Sequence, residues 1–143
     1  MIEISRNALL PYSAEQLFDL VNKVEDYPLF MNGCIATKVL ETTDAAMVAQ
    51  LTVAKAGLQR SFTTRNSLYC PERIVMILEE GPFDAFEGVW TFTALAPTAC
   101  KVSFDLRFSI KGNLATQALS SLISAVGSDM VDAICGRAKQ VYG

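Results

Sequence analysis

Between residues 102 and 110 the chain reads VSFDLRFSI, with Val102, Phe104, Leu106, Phe108 and Ile110 alternating with Ser103, Asp105, Arg107 and Ser109. A period of two places the apolar set on one face of a strand and the polar set on the other. The same alternation runs through Met47, Ala49, Leu51 and Val53, and through Phe86, Trp90 and Phe92. The spacing predicts strands at about 34–42, 47–55, 58–69, 73–80, 86–95 and 99–111, with a first strand over Ile2 to Leu10. Breakers separate them: Thr43-Asp44, Ala56-Gly57, Cys70-Pro71, Gly81-Pro82 and Pro97. Links this short favour antiparallel neighbours. The expected product is a sheet of six or seven strands with one apolar face that needs a cover.

Two segments change period. Ser13 followed by Gln16 reads as a capping box, and Leu17, Leu20, Val21 and Val24 continue at helical spacing. Pro28 disfavours helical geometry at Tyr27, which ends this helix near Glu25, and the stretch that follows is read as one short helical turn. Residues 113–142 contain no proline and carry Leu119, Leu122, Ile123, Val126, Met130, Ile134 and Val141 on one stripe. A helix of that length spans roughly 43 Å, enough to cross a sheet. The order of elements gives an α+β chain of one domain over residues 1–143, with a long C-terminal helix gripped by a curved antiparallel sheet. This helix-grip arrangement often encloses a cavity, and it does not by itself fix a function.

The interior can be read two ways. Gly127 and Gly136 each cost about 1 kcal/mol relative to alanine in mid-helix. Either helix and sheet approach closely there, or small side chains leave room for a ligand. Arg60 shares its parity with Leu58, Phe62 and Leu68. Either it reaches water near a strand end or across a bulge, or it donates to a ligand carbonyl inside a cavity. The run Tyr27-Pro28-Leu29-Phe30-Met31 is unusually apolar for a connection. It is either a hydrophobic staple between helix and sheet or the rim of a cavity mouth, with Phe83 and Phe86 on another part of that rim.

Composition narrows the chemistry. There is no histidine, which removes the commonest general base and metal ligand. The inward parities offer no carboxylate pair, and Glu79, Glu80, Asp84 and Glu87 cluster near a turn where solvation explains them. The expectation is therefore a protein that is not an enzyme and uses no metal or cofactor. Cys34, Cys70, Cys100 and Cys135 are widely spread, as reduced thiols rather than zinc ligands or a disulfide framework. A net charge of −3 argues against a DNA partner. The early Glu3 and the missing apolar core of a leader predict a cytosolic chain.

The stretches LVNKVEDYPLFMNGC (20–34), KAGLQRSFTTRN (55–66), EGPFDAFEGVWTF (80–92) and MVDAICGRAKQVYG (130–143) resemble the bacterial ribosome-association toxin A proteins and their mitochondrial relatives, the coenzyme Q-binding proteins. This group is also described as oligoketide cyclase/dehydrase-like. The resemblance runs the whole chain. It implies a START-like helix-grip fold with an apolar cavity, and binding of ubiquinone or another isoprenoid lipid in support of respiration, with transient contact to the inner membrane. For the bacterial branch it implies instead a toxin that binds the large ribosomal subunit and blocks subunit joining. An isoprenoid chain gains about 0.8 kcal/mol per buried methylene and needs no catalytic group. The candidate ligand-binding residues are Tyr27, Phe30, Arg60, Phe62, Phe83, Phe86, Trp90, Phe92, Leu106, Leu122, Val126 and Met130. Each apolar one is also a sound core residue.

Overall fold

In the computed structural model, which describes residues 1–112 and 114–143 (114 and 115 by backbone alone), seven strands form one antiparallel sheet. The strands are β1 (Ile2–Leu10), β2 (Cys34–Thr42), β3 (Ala46–Lys55), β4 (Leu58–Tyr69), β5 (Arg73–Glu80), β6 (Ala85–Ala96) and β7 (Ala99–Ser109). Their order across the sheet is β1-β7-β6-β5-β4-β3-β2, so consecutive hairpins build six strands and β1 returns to the far edge beside β7. Residue 113, where the sequence places the start of the last helix, lies outside the described residues.

The alternation sets the faces as expected. Val102, Phe104, Leu106 and Phe108 are buried on the inner face, while Asp105 on the outer face accepts from Ser5 Oγ at 2.6 Å. Register slips between Cys34 and Ala36, Val39 and Glu41, Thr63 and Thr64, and Ala94 and Ala96 interrupt the ladders. Such bulges bend the strands that carry them.

The first helix, α1 (Ala14–Asn22), begins at the anticipated capping box: Ser13 Oγ accepts from the Gln16 amide at 3.1 Å and Gln16 Oε1 from the Ser13 amide at 3.0 Å. A 3-10 turn over Val24–Asp26 leads into the single turn α2 (Tyr27–Phe30). The single helical turn matches the sequence reading of this stretch, whereas the end of the first helix falls at Asn22 rather than near Glu25, and the expectation for Tyr27 itself fails. Tyr27 is helical, at φ −53° and ψ −42°. Pro28 sits in the first turn of α2, where no amide donor is needed and its fixed φ suits the helix.

The covering helix is α3 (Leu114–Tyr142). Leu119, Leu122, Ile123, Met130, Val131, Ile134 and Ala138 face inward and are buried. Val141, placed on the stripe by its spacing, is instead half exposed, and Ala138 and Tyr142 take the inward side of this last stretch. The segment Thr116–Tyr142 is long and apolar enough to pass for a membrane span, yet one side of it lies on the sheet. Gly127 explains part of the close fit: a Cβ there would stand 2.8 Å from Leu106 Cδ2. Gly136 has nothing within 4 Å of such an atom, so close packing accounts for one glycine and not the other. At its far end α3 is tied to α1 by the Tyr142 hydroxyl, which donates to the Gln16 carbonyl at 2.8 Å.

Candidate functional site

Between α3 and the sheet lies a narrow slot of about 30 Å³. Phe62 of β4, Phe86 of β6, Leu106 of β7 and Val126 and Met130 of α3 line it, all named from sequence. They converge because each stands at an inward parity or on the inward stripe. The slot also takes Met31, Cys34, Leu51, Val53, Met76, Phe104, Ile123 and Gly127. The strand parities and the helix stripe carried the signal for most of these; nothing in sequence separated them from the rest of the core. Cys34 is the one titratable side chain in this wall, and burial pushes its thiol up to about 11. It stays protonated at neutral pH and is a poor nucleophile.

One end of the slot is closed by aromatic rings. Phe62, Phe83 and Phe86 form a triangle with centroids 5.1–5.5 Å apart, and Phe83 also stands edge-on to Phe108 at 6.1 Å. Phe83 is therefore a half-buried plug rather than an open rim. On the other side of Val126 a groove of about 290 Å³ is lined by Asn32, Gly33, Lys55, Leu122 and Asp129. Leu122 belongs to this groove and not to the slot.

A second, smaller cavity of about 10 Å³ lies beyond Leu51 and Met76 and is walled by Tyr27, Asn66, Ile74 and Trp90, among others. It is the polar part of the interior. The buried Tyr27 hydroxyl donates to the Val21 carbonyl, and burial, helped by the Cys34 and Glu25 charges, pushes its phenol well above the usual range. The Thr64 hydroxyl donates to Asn66 Oδ1 at 2.8 Å, with both residues buried. Trp90 Nε1 is buried without a hydrogen-bond partner. Such an orphan donor costs about 1–3 kcal/mol. Phe92 lines neither cavity. It packs against Phe18 at 5.7 Å and stacks with Trp90 at 6.3 Å.

Two candidates stand elsewhere. Arg60 is exposed, and its guanidinium donates to the Gln59 carbonyl at 2.8 Å. Its parity is inward, opposite the buried Val53, but it lies near the β3–β4 hairpin and its long side chain reaches water. It lines neither the slot nor the smaller cavity. Phe30 is half-buried, edge-on to Tyr27 at 5.9 Å and with the Arg137 guanidinium 5.3 Å from its ring centre. The apolar run thus divides: Tyr27 and Met31 point into the core, Phe30 is sandwiched, and Leu29 is 70% exposed.

The outer face is of mixed sign. Arg65 pairs with Glu79 at 3.0 Å and Glu41 at 3.7 Å, and Arg107 with Glu3 at 3.1 Å. Asp84 accepts from the Lys111 amide at 2.5 Å, so that carboxylate serves as a backbone cap. Among the described residues no group of three or more Cys, Asp or Glu gathers to hold a metal.

Residues 10–135 match the family described as polyketide cyclase / dehydrase and lipid transport. The chain belongs to this family. The proteins it is similar to carry two different kinds of name. The chain is 51% identical, over 98% of its own length and 97% of the relative's, to the "Ribosome association toxin RatA" of Pseudomonas aeruginosa. It is 27% identical, over 99% of its length and 60% of the relative's, to the "Coenzyme Q-binding protein COQ10 homolog B, mitochondrial" of Xenopus laevis. A START superfamily protein from Mycobacterium smegmatis superimposes with a TM-score of 0.78 at 21% identity, covering 97% of this chain and 98% of that one. The START-like helix-grip fold of the family is thus the fold of this chain.

Proposed function

We propose that this protein is a cytoplasmic, non-catalytic binding protein whose partner is the ribosome, and that its contact with the large subunit hinders subunit joining. The full-length similarity to the Pseudomonas aeruginosa ribosome association toxin carries this reading. The interior supports it. A slot of about 30 Å³ is far below the roughly 300–1,000 Å³ of sites that enclose organic ligands, so the closed form offers its outer surface rather than its core. The slot wall holds no carboxylate, lysine or arginine, which favours binding over acid–base chemistry. The test is co-sedimentation of the pure protein with large subunits over a salt series. Association at low salt with inhibition of subunit joining is expected. The slope of log K against log salt then counts phosphate contacts. No association at micromolar protein in low salt would remove the reading.

A second reading, binding of a hydrophobic molecule such as an isoprenoid quinone, is favoured by one observation. The slot is apolar, and three of its walls are the adaptable side chains of Met31, Met76 and Met130. A quinone would have to open it. Extraction of the protein from quinone-producing cells followed by mass spectrometry tests this, and an empty extract from folded protein counts against it.

A further inference from the structure

The slot and the smaller cavity share two walls, Leu51 and Met76. Leu51, in the middle of β3, is branched, whereas Met76 of β5 is an unbranched, adaptable side chain. Beyond it the wall takes in the polar side chains of Asn22, Tyr27, Asn66 and Trp90 beside the apolar Val21, Val24 and Ile74. Tyr27 and Asn66 are already engaged, the first as donor to Val21 and the second as acceptor from Thr64. Trp90, fully buried, keeps an indole N–H with no partner. That group can only donate. Among the described residues that wall this cavity, Trp90 is the one with a buried side-chain donor left without a partner, and the cavity, about 10 Å³, has the room of one water-sized oxygen. No cation lines either cavity, so an anionic acceptor would be buried uncompensated.

We propose that the two cavities are the two ends of one ligand site parted by Met76, and that its ligand is an uncharged apolar molecule bearing a carbonyl whose oxygen accepts from Trp90 Nε1. The proposal rests on the second reading above, that the interior takes a hydrophobic molecule. It assigns the polar anchor to Trp90, in the place that parity alone would give Arg60. The apolar body lies towards Phe62 and Val126, and the carbonyl reaches past Met76.

Trp90 is the chain's only tryptophan, so labelled protein has one indole N–H resonance. Acetophenone and ethylbenzene, nearly matched in shape but for a carbonyl, are titrated separately against it and against the methyl resonances of the slot. Acetophenone is expected to move the indole resonance saturably and to bind about fivefold more tightly than ethylbenzene, the ratio of one neutral hydrogen bond. Trp90→Phe keeps the ring and is expected to abolish that preference. The wild-type titration stands alone if this variant does not fold. Equal affinities, with slot methyls shifting and the indole still, overturn the Trp90 anchor while leaving the ligand site intact. No shift with either probe overturns the ligand reading itself, and the anchor with it.

Discussion

Gly33 and Val126 meet at closer range than any side chain at position 33 allows: a Cβ there would stand 2.8 Å from Val126 Cγ2. The backbone of Gly33 is also left-handed, at φ +87°, and its carbonyl accepts from the Ala54 amide at 2.8 Å. This contact joins the end of the apolar run, the β3 strand and α3. Gly57 has nearly the same φ, +86°, and nothing within 4 Å. Gly57→Ala is therefore expected to cost about 1–2 kcal/mol for backbone alone. Gly33→Ala adds an overpacking cost of about 1–3 kcal/mol. Urea unfolding of both variants separates the two effects, and equal losses would mean that Val126 yields freely.

Val126 also stands in the walls of both the slot and the outer groove. Val126→Ala is expected to join them and to speed entry of ethylbenzene several-fold. Exchange rates measured by NMR check this. Unchanged rates would put the entrance elsewhere.

Arg137 lies over the Phe30 ring, and its guanidinium reaches Asp26 at 3.9 Å. The ring contact is expected to contribute about 0.5–1 kcal/mol. A double-mutant cycle with Arg137→Met and Phe30→Leu reads that coupling, since methionine keeps most of the apolar stem. A coupling near zero would leave Phe30 as simple packing.

Cysteine chemistry should divide by position. Cys70 is exposed, whereas Cys34 and Cys100 are buried. Iodoacetamide at pH 8 is expected to modify Cys70 first and to reach Cys34 only on unfolding. Burial raises the Cys34 thiol from its ordinary 9.0 to about 11. A raised value means that the folded state holds the proton more tightly. Its contribution is complete below about pH 9 and is lost as pH rises towards 11. The buried Tyr27 phenol acts in the same direction. Stability measured from pH 8 to 11 should fall, and Cys34→Ser should flatten part of that fall.

Arg60 shows where sequence and structure part. Parity assigns it to the inner face beside Phe62, and the register does place it opposite the buried Val53. Parity carries no information about how far a long side chain reaches, and Arg60, near the β3–β4 hairpin, extends to water although its strand partner is buried. Arg60→Leu is expected to leave both folding and probe binding unchanged within about 0.5 kcal/mol. A lost affinity would restore its role as a donor. The strands and the α1 cap were legible because period two and the Ser13–Gln16 pair are local signals. Phe62, Phe86, Leu106, Val126 and Met130 were legible as inward residues for the same reason. The unpaired Trp90 N–H was not, because hydrogen-bond satisfaction depends on neighbours in β4 and the helical turns that lie far away in the chain. Pro28 misled because its position within the first turn of α2, rather than its identity, decided the outcome.

The return of β1 to the edge beside β7 also fixes an order of assembly. Ser5 meets Asp105, a partner 100 residues further along the chain. At a synthesis rate of about 5–20 residues per second, β1 waits roughly 5–20 s for its neighbour. The hairpins from β2 to β6 can form in sequence during that time, but the inner side of Ile4, which packs beside Gly127 of α3, stays uncovered until that helix follows β7. The sheet is completed late, by its most distant pair of strands, and is covered only after that.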